Sequence, residues 1–178
     1  MFRITARRWK LRYLETQEIN QALQTAAKRS PRNYLIISIF ARTGMRVSEI
    51  AKIKPQDILE EAEQLIVKGK GGKIRNIDIT PELIMLITNY AKTHRIRKNQ
   101  LLFPVTIRRL QQICNEIANT NAHSFRHSYA IHLLRKTKNI RYVQKQLGHS
   151  SLATTQIYLQ FMDFKEEKNK LGELYAWS

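Results

Sequence analysis

The sequence predicts a mainly α (α+β) domain: a helical bundle with one small antiparallel three-stranded sheet. Three observations carry that expectation. Apolar residues recur at helical spacing through most of the chain, between recognisable caps and stops. Residues 57–79 break the pattern, with two short β-like runs flanking the glycine-rich tip Gly69-Lys70-Gly71-Gly72. No internal repeat, low-complexity tract or linker divides the 178 residues, which suffice for one domain with a real core.

Taken in order, Thr16 is placed to cap a helix running to about Lys28, with Ile19, Leu23 and Ala26 or Ala27 on one face. Ser30-Pro31 starts a second helix, because proline is tolerated at the first helical position, and Thr43-Gly44 stops it. A short third helix ends before Pro55. Residues 64–68 and 73–79 form the hairpin, and residues 57–59 supply a third strand. The alternation in the second run is ambiguous, since Ile74, Asn76 and Asp78 do not share one clean pattern with Ile77 and Ile79. Thr80-Pro81-Glu82 opens a helix to about Thr93, and Thr106 caps another to about Ala118. Residues 123–134, 140–147 and 152–162 read as three further helices. The implied organisation is a basic arm at residues 1–11, one domain at 12–162 and a tail at 163–178.

Charge narrows the function. The chain carries 31 Lys and Arg against 14 Asp and Glu, a net +17. Such a surplus favours a polyanionic partner, nucleic acid first, because basic groups on phosphates release condensed counterions. An anionic membrane surface or a ribosomal setting is the blander alternative. Residues 83–162 hold one acid, Glu116, against twelve Lys and Arg, which suggests a docking surface for phosphates, an ordinary solvated face being the alternative. A single cysteine, Cys114, precludes an intrachain disulfide and fits a reducing interior. The longest apolar run, residues 34–41, is far too short to span a membrane, and the basic residues 1–10 lack the apolar stretch of a secretory signal.

The chemical signal is spread along the chain. Thr43-Gly44-Met45-Arg46-Val47-Ser48-Glu49 lies at a helix junction and Gly69-Lys70-Gly71 at a hairpin tip. His123-Ser124-Phe125-Arg126-His127 opens a helix, Leu147-Gly148-His149-Ser150-Ser151 forms a turn, and Tyr158 follows nine residues after His149.

In the order and flanks of these pieces the chain resembles the tyrosine recombinase (phage integrase) family, from about residue 12 to residue 160. The resemblance implies that Arg46 and Arg126 grip the scissile phosphate and that Lys70 protonates the leaving oxygen. It further implies that His123 and His149 assist proton handling and hydrogen bonding, and that Tyr158 is the nucleophile. Glu49, one turn from Arg46, resembles the acid that orients the arginine and histidine side chains from behind; an ordinary exposed helix glutamate is the alternative.

Such roles make physical sense. A phosphodiester repels nucleophiles, and two guanidiniums neutralise its non-bridging oxygens better than lysines do. Fixed donors gain most where charge builds up in the transition state. The departing 5′-oxygen needs a proton, which a lysine among cationic neighbours can supply. A phosphotyrosyl ester conserves the backbone bond, so neither ATP nor metal nor any cofactor is expected.

Each residue also has a plainer reading. Lys68 and Lys73 rival Lys70. His123 and His149 can be structural histidines, and His127 and His132 are expected to be. A zinc site at His123 and His127 lacks the glutamate and further ligands of such motifs. Tyr129 and Tyr142 are packing residues, whereas Tyr158 sits beyond the Gly148-His149 turn, where a mobile helix presents its hydroxyl.

The functional alternatives are a helix-turn-helix DNA-binding regulator without catalysis, built on residues 143–151 and the helix after them, a type IB topoisomerase-like relaxing enzyme, and a defective recombinase relative. The resemblance implies double-stranded DNA as partner, dimers or tetramers on DNA, and no membrane or small-molecule substrate. It places the protein in the cytoplasm, at the nucleoid, encoded by a prokaryote, virus or plasmid. Only about 12 to 15 residues precede the match, too few for the separate N-terminal helical domain typical of this family. A fragment or a minimal recombinase is therefore expected. In the tail, Leu171, Leu174, Tyr175 and Trp177 suggest docking; the resemblance implies that it is on a neighbouring subunit, and packing on the tail's own domain is the alternative.

Overall fold

A computed structural model describes residues 11–162. Residues 1–10 of the expected arm and the tail at 163–178 lie outside the described residues, so the expected subunit-exchanging role of the tail does too.

Helix α1 (Thr16–Arg29) is followed by α2 (Pro31–Thr43) and the one-turn α3 (Val47–Ile50). Strands β1 (Ile58–Leu59), β2 (Gln64–Lys68) and β3 (Ile74–Asp78) come next, then α4 (Pro81–Thr93), α5 (Ile107–Ala118), α6 (Ala122–Thr137), α7 (Ile140–Leu147) and the one-turn α8 (Ala153–Gln156). Short 3₁₀ turns occupy Pro55–Asp57, Lys70–Gly72 and Leu159–Phe161. The mainly helical class with one three-stranded antiparallel sheet, ordered β1-β2-β3, is as the sequence predicts.

Helix α2 is the hub. Ser30 caps it, accepting from the Asn33 backbone N–H at 3.2 Å, with Pro31 in its first turn. Its neighbouring residues Ile36 and Ile37, then Ile39 and Phe40, are all 0% exposed, so it is apolar all round rather than along one stripe. It packs against α1, α4, α5 and α6. Around it α5 is one-sided, burying Leu110, Ile113, Cys114 and Ile117 at helical spacing.

The sheet closes one side of this bundle. The register sets Leu65 opposite Ile77 and Val67 opposite Arg75. Leu65, Val67 and Ile77 face the core, while Ile74 lies 65% exposed. Ile74 therefore points outward, which removes the ambiguity in the sequence, and the same parity turns Arg75 inward. Helix α7 packs on β3.

Boundaries differ from expectation at three places: the helix expected over residues 123–134 runs on to Thr137 as α6, and the start of α1 and the last helical segment differ too. Glu15, not Thr16, holds the N-cap position of α1, and its backbone N–H donates to the Glu18 carboxylate at 2.8 Å. The expected continuous helix over residues 152–162 is broken into α8 and a 3₁₀ turn. Its backbone bonds shift to three-residue spacing, as in Tyr158 N–H to Thr155 C=O and Phe161 N–H to Tyr158 C=O, each 3.0 Å.

A second, smaller hydrophobic cluster gathers Ala130, Ile131, Leu134, Val143, Leu147 and Tyr158. Helix α6 joins the two, giving Phe125 to the main core and Ala130, Ile131 and Leu134 to the second, with Arg126 between them.

Candidate active site

Gly44 ends α2 in the left-handed region (φ 59°), and a Cβ there would sit 2.6 Å from the Tyr129 ring. Glycine alone fits this turn, which delivers Arg46 to the start of α3. The Arg46 backbone N–H donates to Glu49 Oε2 at 2.8 Å, and its Nη1 to Oε1 at 3.2 Å.

Glu49 is 4% exposed, which rules out the ordinary exposed glutamate. A second guanidinium, that of Arg75, forks onto it, Nη1 to Oε1 at 2.7 Å and Nη2 to Oε2 at 3.1 Å. Burial alone would raise the Glu49 carboxyl. The hydrogen bonds from Arg75 and the Arg46 backbone, with both charges, outweigh it and hold the pKa below the ordinary value.

Asn121 caps α6, accepting from the Ser124 N–H at 2.9 Å, and so orients a first turn that carries His123. One turn on, Arg126 is 2% exposed. Its Nη1 donates to the Gly44 carbonyl and its Nη2 to the Leu147 carbonyl, both at 2.8 Å. The guanidinium thereby ties the Arg46 turn to the His149 turn, carries three N–H groups beyond those two, and lines a cleft with Arg46. Burial, then the charge of Arg46, lowers its pKa to about 10, so it stays cationic at neutral pH.

Arg46, His123 and Arg126 line one cleft of about 680 Å³. A second, of about 580 Å³, is lined by Glu49, Gly69, Lys73, Arg75 and His149. Arg46 and Ser48 line both. The two arginines singled out by the sequence thus share a cavity. His149 stands in the adjoining one, its Nδ1 2.9 Å from the Thr155 hydroxyl. Burial, then Arg126, Arg46 and Arg75, pushes the His149 pKa down to about 4. His123 is also lowered, by burial first and then the two arginines.

Tyr158 departs from expectation. It is 2% exposed and lines neither cleft. Its ring fills the second cluster, and its hydroxyl lies 3.0 Å from His127 Nδ1. The His127 ring in turn meets His123 edge-on, centroids 4.3 Å apart. Burial raises the phenol pKa against the lowering pull of Arg126 and Arg46. Burial, then His123 and Arg126, lowers His127 to about 4. A protonated phenol therefore faces a neutral imidazole, and where Nδ1 carries no hydrogen the phenol donates to it. His127 is thus more than the packing residue expected from the sequence. His132 matches the structural reading, with Nε2 2.9 Å from the Leu14 carbonyl.

At the hairpin tip the backbone of Lys70–Gly72 forms a 3₁₀ turn, with Gly71 at φ 70°. The side chain of Lys70 lies outside what the structure describes. Of its two rivals, Lys68 is engaged elsewhere, bonded to the buried Asp57 at 2.9 Å, and Lys73 lines the second cleft.

Arg75 and His127 are the two site residues that sequence reasoning missed. The inward parity of Arg75 with Ile77 was available as a signal. The adjacency of His127 to Arg126 was visible too, but nothing in the sequence joined it to Tyr158. Among the described residues no group of three or more His, Cys, Asp or Glu side chains is placed to hold a metal ion, and no helix is long and apolar enough to cross a membrane.

A helical domain that gathers two arginines and histidines around adjoining clefts, with a tyrosine docked beside them, has known relatives. The chain belongs to the phage integrase family, which its residues 12–163 match. It is 35% identical over 159 residues to tyrosine recombinase XerA of Pyrococcus furiosus, covering 82% of this chain and 56% of that protein. It is 37% identical over 146 residues to tyrosine recombinase XerH of Campylobacter jejuni, covering 73% and 41%. The chain spans about half the length of the curated relatives it matches. Among solved structures, XerH site-specific recombinase bound to difH substrate in a pre-cleavage complex superposes with TM-score 0.72 at 31% identity, covering 83% of this chain and 49% of that one. The crystal structure of XerA recombinase shares the fold, with TM-score 0.75 at 24% identity, covering 93% and 66%.

Proposed function

We propose that residues 12–162 are the catalytic domain of a site-specific DNA recombinase that cleaves and rejoins strands through a 3′-phosphotyrosyl intermediate. One observation carries the reading: Arg46, Arg126 and His123 line a single cleft that adjoins the one holding His149, with Arg46 common to both. The relatives named tyrosine recombinases, and the similarity to a recombinase solved on its DNA substrate, support it.

In this reading a DNA phosphate enters beside Arg46 and Arg126, whose free N–H groups neutralise its non-bridging oxygens. The Tyr158 Oη–P bond forms as the P–O5′ bond breaks. The 5′-oxygen takes a proton from Lys70, and the phenolic proton passes to a neighbouring imidazole, with His123 and His149 as donors and acceptors around the phosphate. Glu49 holds Arg46 in place from behind. The ester conserves the bond, so a second 5′-hydroxyl reverses the step without ATP, and the guanidiniums supply the charge neutralisation asked of a metal elsewhere. Because Tyr158 is docked on His127, the segment after Gly148 must shift to bring its hydroxyl to the cleft.

Double-stranded DNA is the partner, with self-association into dimers or tetramers on it, the tail reaching a neighbouring subunit and the basic arm adding phosphate contacts. Neither a membrane nor a small-molecule substrate enters the reaction, which belongs at the nucleoid. The helix-turn-helix regulator fits poorly, since α8, the would-be recognition helix, has four residues.

Incubation with a nicked suicide duplex tests the proposal, its site chosen by mapping phosphotyrosyl linkages on plasmid DNA. The expected product is a denaturant-resistant protein–DNA adduct, absent in Tyr158→Phe. Arg46→Ala should bind DNA yet form adduct about 100-fold more slowly or worse, the scale of removing one key charge donor. An adduct that persists in Tyr158→Phe, or binding with no adduct in the unmodified chain, overturns the reading. Relaxation of supercoiled plasmid without strand exchange would move it to a type IB topoisomerase-like activity.

A further inference from the structure

We propose that Arg75 is a positioning residue for strand cleavage: it holds Glu49 so that Arg46 is left facing the phosphate cleft, and it fastens the hairpin to the His149 turn. The inference rests on the recombinase reading above.

Four observations place Arg75 at this junction. Its β3 position opposite Val67 turns it inward, away from the exposed side of Ile74. Its guanidinium takes both oxygens of Glu49 as a fork, at 2.7 and 3.1 Å. It also passes beneath the His149 turn, where a Cβ on Gly148 would lie 2.5 Å from Arg75 Cδ. Arg75 Nε points at the Gln146 carbonyl, 3.5 Å away. Gln146 itself laces α7 to β3, accepting from the Asp78 N–H at 3.2 Å and donating to Asp78 Oδ2 at 2.7 Å.

The fork has a consequence for Arg46. Glu49 is buried and needs counter-charge, and two arginines compete for it. With Arg75 engaging both oxygens, Arg46 gives Glu49 one side-chain contact, Nη1 at 3.2 Å, and its side chain stays 46% exposed along both clefts. Without Arg75, the carboxylate would draw the Arg46 guanidinium onto both oxygens and away from the phosphate. A lysine cannot replace the fork, since an ammonium lacks the planar pair of donors.

The test uses the full chain, with Arg75→Ala and Arg75→Lys, on suicide duplexes whose scissile group is either the natural phosphate or an uncharged methylphosphonate. On the phosphate, both variants should form adduct about tenfold or more slowly at saturating DNA, as expected when a transition-state charge contact is misplaced. On the methylphosphonate there is no negative charge for Arg46 to meet, so the gap to the unmodified chain should shrink to about threefold or less. Equal slowing on both substrates would mean that Arg75 merely supports the fold, and the proposal fails. It fails too if either soluble variant reacts within about twofold of the unmodified chain on the phosphate. Should Arg75→Ala not fold, Arg75→Lys decides alone. Absence of adduct from the unmodified chain on both substrates would instead count against the recombinase reading, and this inference would fall with it.

Discussion

Arg126 shows how one side chain serves both the fold and the site. It closes Gly44 and Leu147 onto one guanidinium through two carbonyls in a buried setting. Arg126→Ala leaves both acceptors without partners, at a cost of about 2–4 kcal/mol. Arg126→Lys can satisfy one of them and should fall between. Urea denaturation measures this, and unchanged stability in Arg126→Ala would show that the two turns are held without it. Arg46, His123, Arg126 and His149 were legible because each stands in a short motif with characteristic neighbours. Arg75 has no such motif, and the docking of Tyr158 on His127 links residues 31 apart that only packing brings together. A tyrosine so close to a turn read as presented, when its ring completes the second cluster.

At the scale of elements, most caps and turns are legible in the sequence, while the start of α1 and the course of the last helical segment are not. Ser30, Thr80 and Thr106 cap their helices through side-chain oxygens, and Gly44 and Gly148 end theirs at positive φ. The break in the last helix was hidden because residues at three-residue spacing also fit a helical stripe. Thr155, Tyr158 and Phe161 lie at that spacing, and the three-residue backbone bonds between them show the tighter geometry the chain adopts there. Gly148 and Gly71 allow a paired prediction about turns. Both have positive φ, but a Cβ on Gly148 meets Arg75 at 2.5 Å while one on Gly71 meets nothing within 4 Å. Gly71→Ala should cost only the backbone strain, about 1 kcal/mol. Gly148→Ala should cost about 1–3 kcal/mol and slow adduct formation as well, by pushing Arg75 off Glu49. Thermal melting together with the suicide-substrate assay separates the two. Equal effects on stability and rate would show that the contact at Gly148 is slack.

Across the whole molecule, an acid-poor stretch at residues 83–162 folds so that three of its histidines, His123, His127 and His149, lie near arginines. The charge surplus was plain in the sequence; its effect on proton binding needed the packing, and it sets the pH response of stability. His127 and His149 titrate near 4 in the folded chain, against 6.5 ordinarily, because burial and then their charged or imidazole neighbours oppose protonation. His123 is shifted in the same direction. Between those values the unfolded chain binds protons that the folded chain refuses, so stability must fall as pH falls. The contribution is fully present above the unfolded pKa of 6.5 and is lost progressively down to about 4. Glu49, held below its ordinary value of 4.5, adds a second loss at the acid end of that window. Melting temperature followed by circular dichroism should be nearly flat from about pH 8 to 7 and drop by several degrees towards pH 5. A double variant, His127→Asn with His149→Asn, should melt lower at pH 7 yet show a shallower decline, because two of the groups that charge on unfolding are gone. A melting temperature of the unmodified chain that holds steady from pH 7 to 5 would mean that these imidazoles are already protonated in the native state, and that neither burial nor their neighbours hold them neutral.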